Sequence, residues 1–226
     1  QTIEALLCPS NTGIPPMRNS YGVNAGVWSG ADGAVLTGRI GPRSGFGSSH
    51  VRFARKISDI LDGTANTAAF SEHVVPGGRS AIRDGLTIVR AATVTAPTAA
   101  VARNEAFLAL AQQRCLTNSG PLSTRYTNSG QGQEWIFFRA GDNAWYNHGL
   151  PPNRAMCVIP GRGRPPRGGP GGILWSLRGP SSRHPGGVNV LMADGQVRFV
   201  GENVDLKIWM AVGTVASGEV IDNTSF

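Results

Sequence analysis

Histidine and cysteine are the scarce side chains best suited to nucleophilic or metal chemistry, and this chain has few of them: His50, His73, His148, His184, Cys8, Cys115 and Cys157. Their spacing brings none of them together locally. There is no C-x-x-C pair and no histidine at zinc-ligand distance from a cysteine, so a zinc module is not expected. His73 beside Glu72 is the one histidine–carboxylate adjacency. Neighbouring strand residues project from opposite faces, which argues against a local dyad there. The patterns H-E-x-x-H, G-x-S-x-G, the Walker loop and G-x-G-x-x-G are missing, leaving metalloprotease, serine hydrolase, P-loop and Rossmann chemistry without support. The expectation is a protein that is not an enzyme and uses no cofactor. A hydrolase would have to gather loop-borne residues in a deep polar cleft around His184 or His148.

Asp59, Asp62, Thr64 and Asn66 lie within eight residues and could offer oxygens to a hard cation, but the spacing is not that of an EF-hand. The simpler reading is a turn at Asp62-Gly63, with Asn66 serving local backbone amides. No metal is assigned. The odd cysteine count leaves two cases open: one disulfide and one spare thiol if the chain is exported, or three thiols if it is cytosolic.

The chain has 226 residues, 40% of them hydrophobic, with a net charge of +7, which suits one globular domain spanning residues 1–226. Glycine (31) and proline (15) together make up about a fifth of the chain, favouring β-structure with turns and long loops over a helical bundle. The basic excess is nearly all arginine. Six arginines and no acid lie between Asp142 and Asp194, and Arg162, Arg164 and Arg167 sit in the Gly/Pro-rich stretch 161–172. Such a loop could bind an anionic glycan by charge. Nucleic acid is the weaker partner, because no aromatic interleaves with those arginines to stack a base.

The elements expected to position these residues are short. Residues 57–63 read as one helical turn closed at Gly63, and Thr67–Val74 as a strand. Asn104–Leu116 reads as a helix capped by Asn104, with Phe107, Leu110, Ala111 and Cys115 on its apolar face. Glu134–Phe138 reads as a buried strand and Asn143–Asn153 as an aromatic-rich loop. Val188–Val200 predicts a hairpin turning through Asp194-Gly195 in a two-residue type I′ turn. Asp205–Val212 predicts a helix stopped by Gly213. The fold class is α+β, mainly antiparallel β, with long loops and two or three short helices.

Taken in order, several segments resemble one family. They are Leu7-Cys-Pro-Ser10; Ile57–Thr67 with Glu72; Pro151-Pro152-Asn153 before Cys157; Ser182–Asn189 with His184; Asp194-Gly195 after nine intervening residues; and Val212-Gly-Thr214 with Gly218-Glu219-Val220. This set resembles the planctomycete pseudopilin-like family called domain of unknown function 1559. The resemblance implies a pilin-like globular head, ordinarily preceded by a hydrophobic prepilin helix that residues 1–226 lack. It implies export to the cell surface or beyond, and self-assembly with filament neighbours, with a membrane involved only through that helix. It also implies a Cys115–Cys157 disulfide, worth roughly 4–5 kcal/mol on the chain-entropy model, leaving Cys8 for a partner elsewhere. Within the signature, His184 and Asp194-Gly195 are expected at opposite ends of one strand, some 30 Å apart if extended. His184 is therefore expected to bind a polar group on another element, Glu72 first, and so fix the lead-in to the hairpin. Residues 76–102 and 160–183 are the expected display loops.

Overall fold

The computed structural model describes residues 2–11, 18–27, 29–30, 56–75, 88–90, 105–117, 145–154, 156–160 and 174–219. Within them lie β1 (Tyr21–Asn24), β2 (Ser29–Gly30), β3 (Ala68–Glu72), β4 (Ile88–Arg90), α1 (Glu105–Thr117), β5 (Trp145–Tyr146), β6 (Met156–Pro160), β7 (Leu174–Leu177), β8 (Gly187–Met192), β9 (Val197–Gly201) and α2 (Leu206–Val212). Single 3-10 turns cover Glu4–Leu6, Ile57–Asp59 and Thr64–Asn66. One sheet runs β5-β1-β3-β8-β9 and the other β2-β7-β6-β4. Pairing is antiparallel except at β1–β5 and β4–β6. The fold is α+β and mainly antiparallel, as the composition predicts.

The five-stranded sheet has two unlike faces because its strands alternate. Val188, Val190 and Met192 of β8 and Val200 of β9 are buried with Ala68, Tyr146 and the α2 residues Trp209 and Val212. That is the core. Asp205 starts α2 by accepting the free amides of Lys207 and Ile208 at 2.8 and 3.2 Å, as a side-chain cap does. Gly213 ends the helix, as expected, in a right-handed conformation (φ −76°). Its requirement is space: a Cβ there would overlap the ring of His148.

The hairpin forms with a longer loop than expected. Leu191 pairs with Val197, Met192 N–H bonds Gln196 O, and Gly195 N–H bonds Met192 O. Gly195 alone takes positive φ (+93°), while Asp194 does not. The turn is thus a three-residue loop with glycine in the left-handed position, not a two-residue type I′ turn. Ala193 N–H bonds Thr67 O at 2.8 Å, so the segment leading into β3 holds the extra residue. β8 has six residues rather than nine, and His184 lies in the chain leading into it.

Other expectations shift as well. The face that α1 buries carries Leu108, Ala111 and Gln112, with Leu110 and Leu116 exposed. Apolar residues surround this helix, so the predicted phase through Leu110 was one of two the pattern allows. β4 and β7 occupy parts of the stretches expected to be display loops, and β5 lies inside the expected aromatic loop. The strand at 134–138, Asn104, the side chain of Phe107, the side chain of Cys157 and Arg162, Arg164 and Arg167 fall outside the described residues. Of the described cysteines, only Cys8 is a free thiol.

Candidate functional site

Three of the segments that carry the resemblance meet at one end of the five-stranded sheet. Glu72 closes β3, His184 precedes β8, and Cys8 follows the first 3-10 turn. Glu72 Oε1 lies 3.2 Å from His184 Nε2 and 3.6 Å from Cys8 Sγ, and Sγ lies 3.8 Å from Nε2. A carboxylate only accepts, so in this pair the imidazole N–H belongs to Nε2. Ser10 Oγ completes the group, 3.0 Å from Cys8 Sγ and 3.5 Å from His184 Nε2. Glu72 is 5% exposed and Cys8 is buried, while the His184 side chain is 33% exposed and forms the rim.

Asn189, which the sequence reading did not single out, holds the carboxylate in place. Its backbone N–H reaches Glu72 Oε2 and its side-chain amide reaches Oε1, both at 3.0 Å. The loop bearing His184 is held in turn by Asn153, the one described non-glycine residue with positive φ (+59°). Asn153 Oδ1 accepts from Ser182 N–H at 2.9 Å, and Ser182 Oγ accepts from His184 N–H at 3.0 Å. Pro151-Pro152-Asn153 and Ser182–Asn189 are therefore two halves of one clamp. Spacing gave no sign of this, since the halves lie about thirty residues apart.

A second junction joins Asp62 to the chain end. Asp62 Oδ2 accepts from Thr214 Oγ1 at 3.1 Å and Ser217 N–H at 2.9 Å, and Oδ1 accepts from Gly218 N–H at 2.8 Å. Asp59 Oδ2 accepts from Lys56 N–H, and Asn66 Nδ2 donates to Asp62 O. Gly63 takes the positive φ (+92°) that a turn at Asp62-Gly63 needs, but Asn66 Oδ1 accepts no local amide, contrary to the simpler reading, and the Asp62 carboxylate serves donors 152 to 156 residues away rather than local ones. Asp194 and Gly195 stay at the far end of β8 from His184, where Asp194 Oδ1 accepts from Gln196 N–H.

The other described histidines are core residues. His148 is fully buried, with Nδ1–H donating to Trp209 O at 2.7 Å and Nε2 facing Tyr146 OH at 3.3 Å. It stacks on Trp209 with centroids 3.9 Å apart. Burial pushes its pKa down to about 3. His73, on the other side of β3 from Glu72, is buried, and its pKa is pushed down to about 4 by burial first and by Arg178 second.

Next to Glu72 the second face of the sheet is open and apolar. Val23, Phe70, Leu191 and Val197 lie in register across four strands, and Phe70, Leu191, Val197 and Phe199 are 40%, 36%, 61% and 51% exposed. A groove of about 500 Å³ runs over this face, with Leu6 and Tyr21 at its margin and Glu72 and Asn189 at its polar end.

Neither a curated protein nor a solved structure matches the chain. A family model described as "Protein of unknown function (DUF1559)" matches residues 1–207. That span holds every residue of the Cys8–Glu72–His184 cluster and of the clamp that orients it, and the chain belongs to the DUF1559 family.

Proposed function

We propose that this domain is the globular head of an exported, non-enzymatic assembly subunit of pilin-like type. The observation that carries the reading is the open apolar face of the five-stranded sheet. Contiguous exposed apolar surface on a folded domain marks a place where another element docks. Here Leu191, Val197 and Phe199 leave such a surface beside a sheet whose opposite face packs into the core.

The occupant assigned to this face is the apolar amino-terminal helix of the pilin-like architecture. Leu6, from the amino-terminal stretch, is one of the residues lining the groove. In this arrangement the helices provide the packed centre of the assembly and the heads project from it. A Cys115–Cys157 bridge and a location outside the cytoplasm belong to the same reading.

Electron microscopy of the protein in material from its producing cell, labelled with a specific antibody, tests assembly. The label is expected on multimers or filaments at the cell surface. Label found only on dispersed monomers overturns the proposal.

A further inference from the structure

We propose that Cys8, Glu72 and His184 bind a borderline divalent metal ion of the zinc type, independently of whether the domain assembles. The three groups do not form a catalytic relay. In a nucleophile–histidine–acid relay the acid and the nucleophile contact different ring nitrogens, whereas here Cys8 Sγ and Glu72 Oε1 both face His184 Nε2. The sulfur, the ring nitrogen and the carboxylate oxygen all lie within 4.8 Å of one another, and each can serve as a ligand once the protons on sulfur and nitrogen are displaced.

The distances suit a tetrahedral ion. With metal bonds of about 2.3 Å to sulfur and about 2.0–2.2 Å to nitrogen and oxygen, tetrahedral ligand atoms stand ~3.6 Å apart for each sulfur pair and ~3.4 Å for nitrogen and oxygen. The corresponding separations are 3.8, 3.6 and 3.2 Å. Thiolate and carboxylate together balance a 2+ charge. A mixed sulfur, nitrogen and oxygen set selects zinc-like ions over calcium or magnesium, which prefer all-oxygen ligands.

Supporting bonds are in place. Asn189 holds both carboxylate oxygens, as a partner behind the ligand should. The partly exposed imidazole gives the ion a way in, and the fourth position falls to water or Ser10 Oγ. On binding, Cys8 loses its thiol proton and the imidazole proton moves from Nε2 to Nδ1, so one proton leaves for each ion bound. The ion would tie the amino-terminal stretch, the end of β3 and the lead-in to β8 at a single point.

The test is titration of the reduced 226-residue chain with Co²⁺, then with Zn²⁺ in competition with a chromophoric chelator. The expected result is one ion per chain, one proton released, and a thiolate-to-cobalt charge-transfer band in the near ultraviolet. At zinc a hundredfold above Kd, the melting temperature should rise by roughly 5–10 °C. Cys8→Ala removes the band. Asn189→Ala keeps the band but weakens binding about 10- to 100-fold, the signature of a positioning residue. Alkylation of Cys8 in the unsubstituted chain should slow when zinc is added, a readout that needs no variant. No uptake, uptake without the sulfur band, an unchanged alkylation rate, or a Cys8 found in a disulfide in protein from the producing cell would each overturn the proposal.

Discussion

Replacing Glu72 with alanine removes the acceptor on which four donors converge, one of them the weak thiol donor of Cys8. Asn189 N–H and the Asn189 amide each lie 3.0 Å from a carboxylate oxygen, and His184 Nε2 lies 3.2 Å away. A hydrogen bond to a charged group contributes about 1.5–3 kcal/mol, and a buried donor left without a partner costs a similar amount. The imidazole, one third exposed, can turn to water, so its share is small. The two Asn189 donors then set the expected loss at about 3–4 kcal/mol, or roughly 6–16 °C in melting temperature for a domain of this size. Urea unfolding in reducing buffer with a chelator present isolates this from any metal contribution. His184→Ala in the same buffer should lose only about 1 kcal/mol. A Glu72→Ala loss below 1 kcal/mol would refute the argument that this carboxylate holds the sheet end together. An unchanged melting point for His184→Ala would refute the pinning of the hairpin lead-in.

Other outcomes follow from the same packing. His73 and His148 have folded pKa values near 4 and 3, against 6.5 in the unfolded chain. The unfolded state therefore takes up more protons as the pH falls, so stability is complete above about pH 7.5 and declines from about pH 6.5 downward. At pH 5 the two together should cost about 4 kcal/mol, and equal urea midpoints at pH 8 and pH 5 would contradict this. Gly213→Ala forces a Cβ against the His148 ring and should destabilise by about 1–3 kcal/mol, measurable by thermal melting; a neutral result would mean that the ring can move aside. Gly195→Ala meets no atoms but must keep φ at +93°, so calorimetry should find a loss of about 1–2 kcal/mol, and no loss would contradict the left-handed turn. Val197→Glu on the open face should leave monomer stability within about 0.5 kcal/mol while reducing the protein recovered in multimers; unchanged recovery would count against the docking face.

What the sequence made legible was mostly local. Asp205 bonds the amides two and three residues ahead, and β8 and β9 alternate with period two, so the helix start and the hairpin could be read from neighbouring residues. The turn type could not. The bond from Ala193 to Thr67, the residue just ahead of β3, stabilises a loop one residue longer than the Asp-Gly dipeptide suggests. The face of α1 was ambiguous because Leu108 and Leu110 are equally apolar and only the packed neighbours choose between them. Glu72 and His184 were expected together because a strand cannot fold a residue back onto its own far end. Cys8 had no such constraint. It lies 64 residues from Glu72 and 176 from His184, and no metal spacing rule covers ligands spread over three segments. Asn153 and Asn189 sit within segments that carried the resemblance, yet their roles depend on which backbone groups pass nearby, and that is set by sheet order.

The most direct test of the account is photo-crosslinking in the producing cell, with the reactive side chain at position 191 in the middle of the open face. The account predicts adducts with an apolar helical segment of the same chain or of a sister subunit, identified by mass spectrometry of the crosslinked peptides. Capture of water alone, with no peptide adduct in cell-surface material, would contradict it.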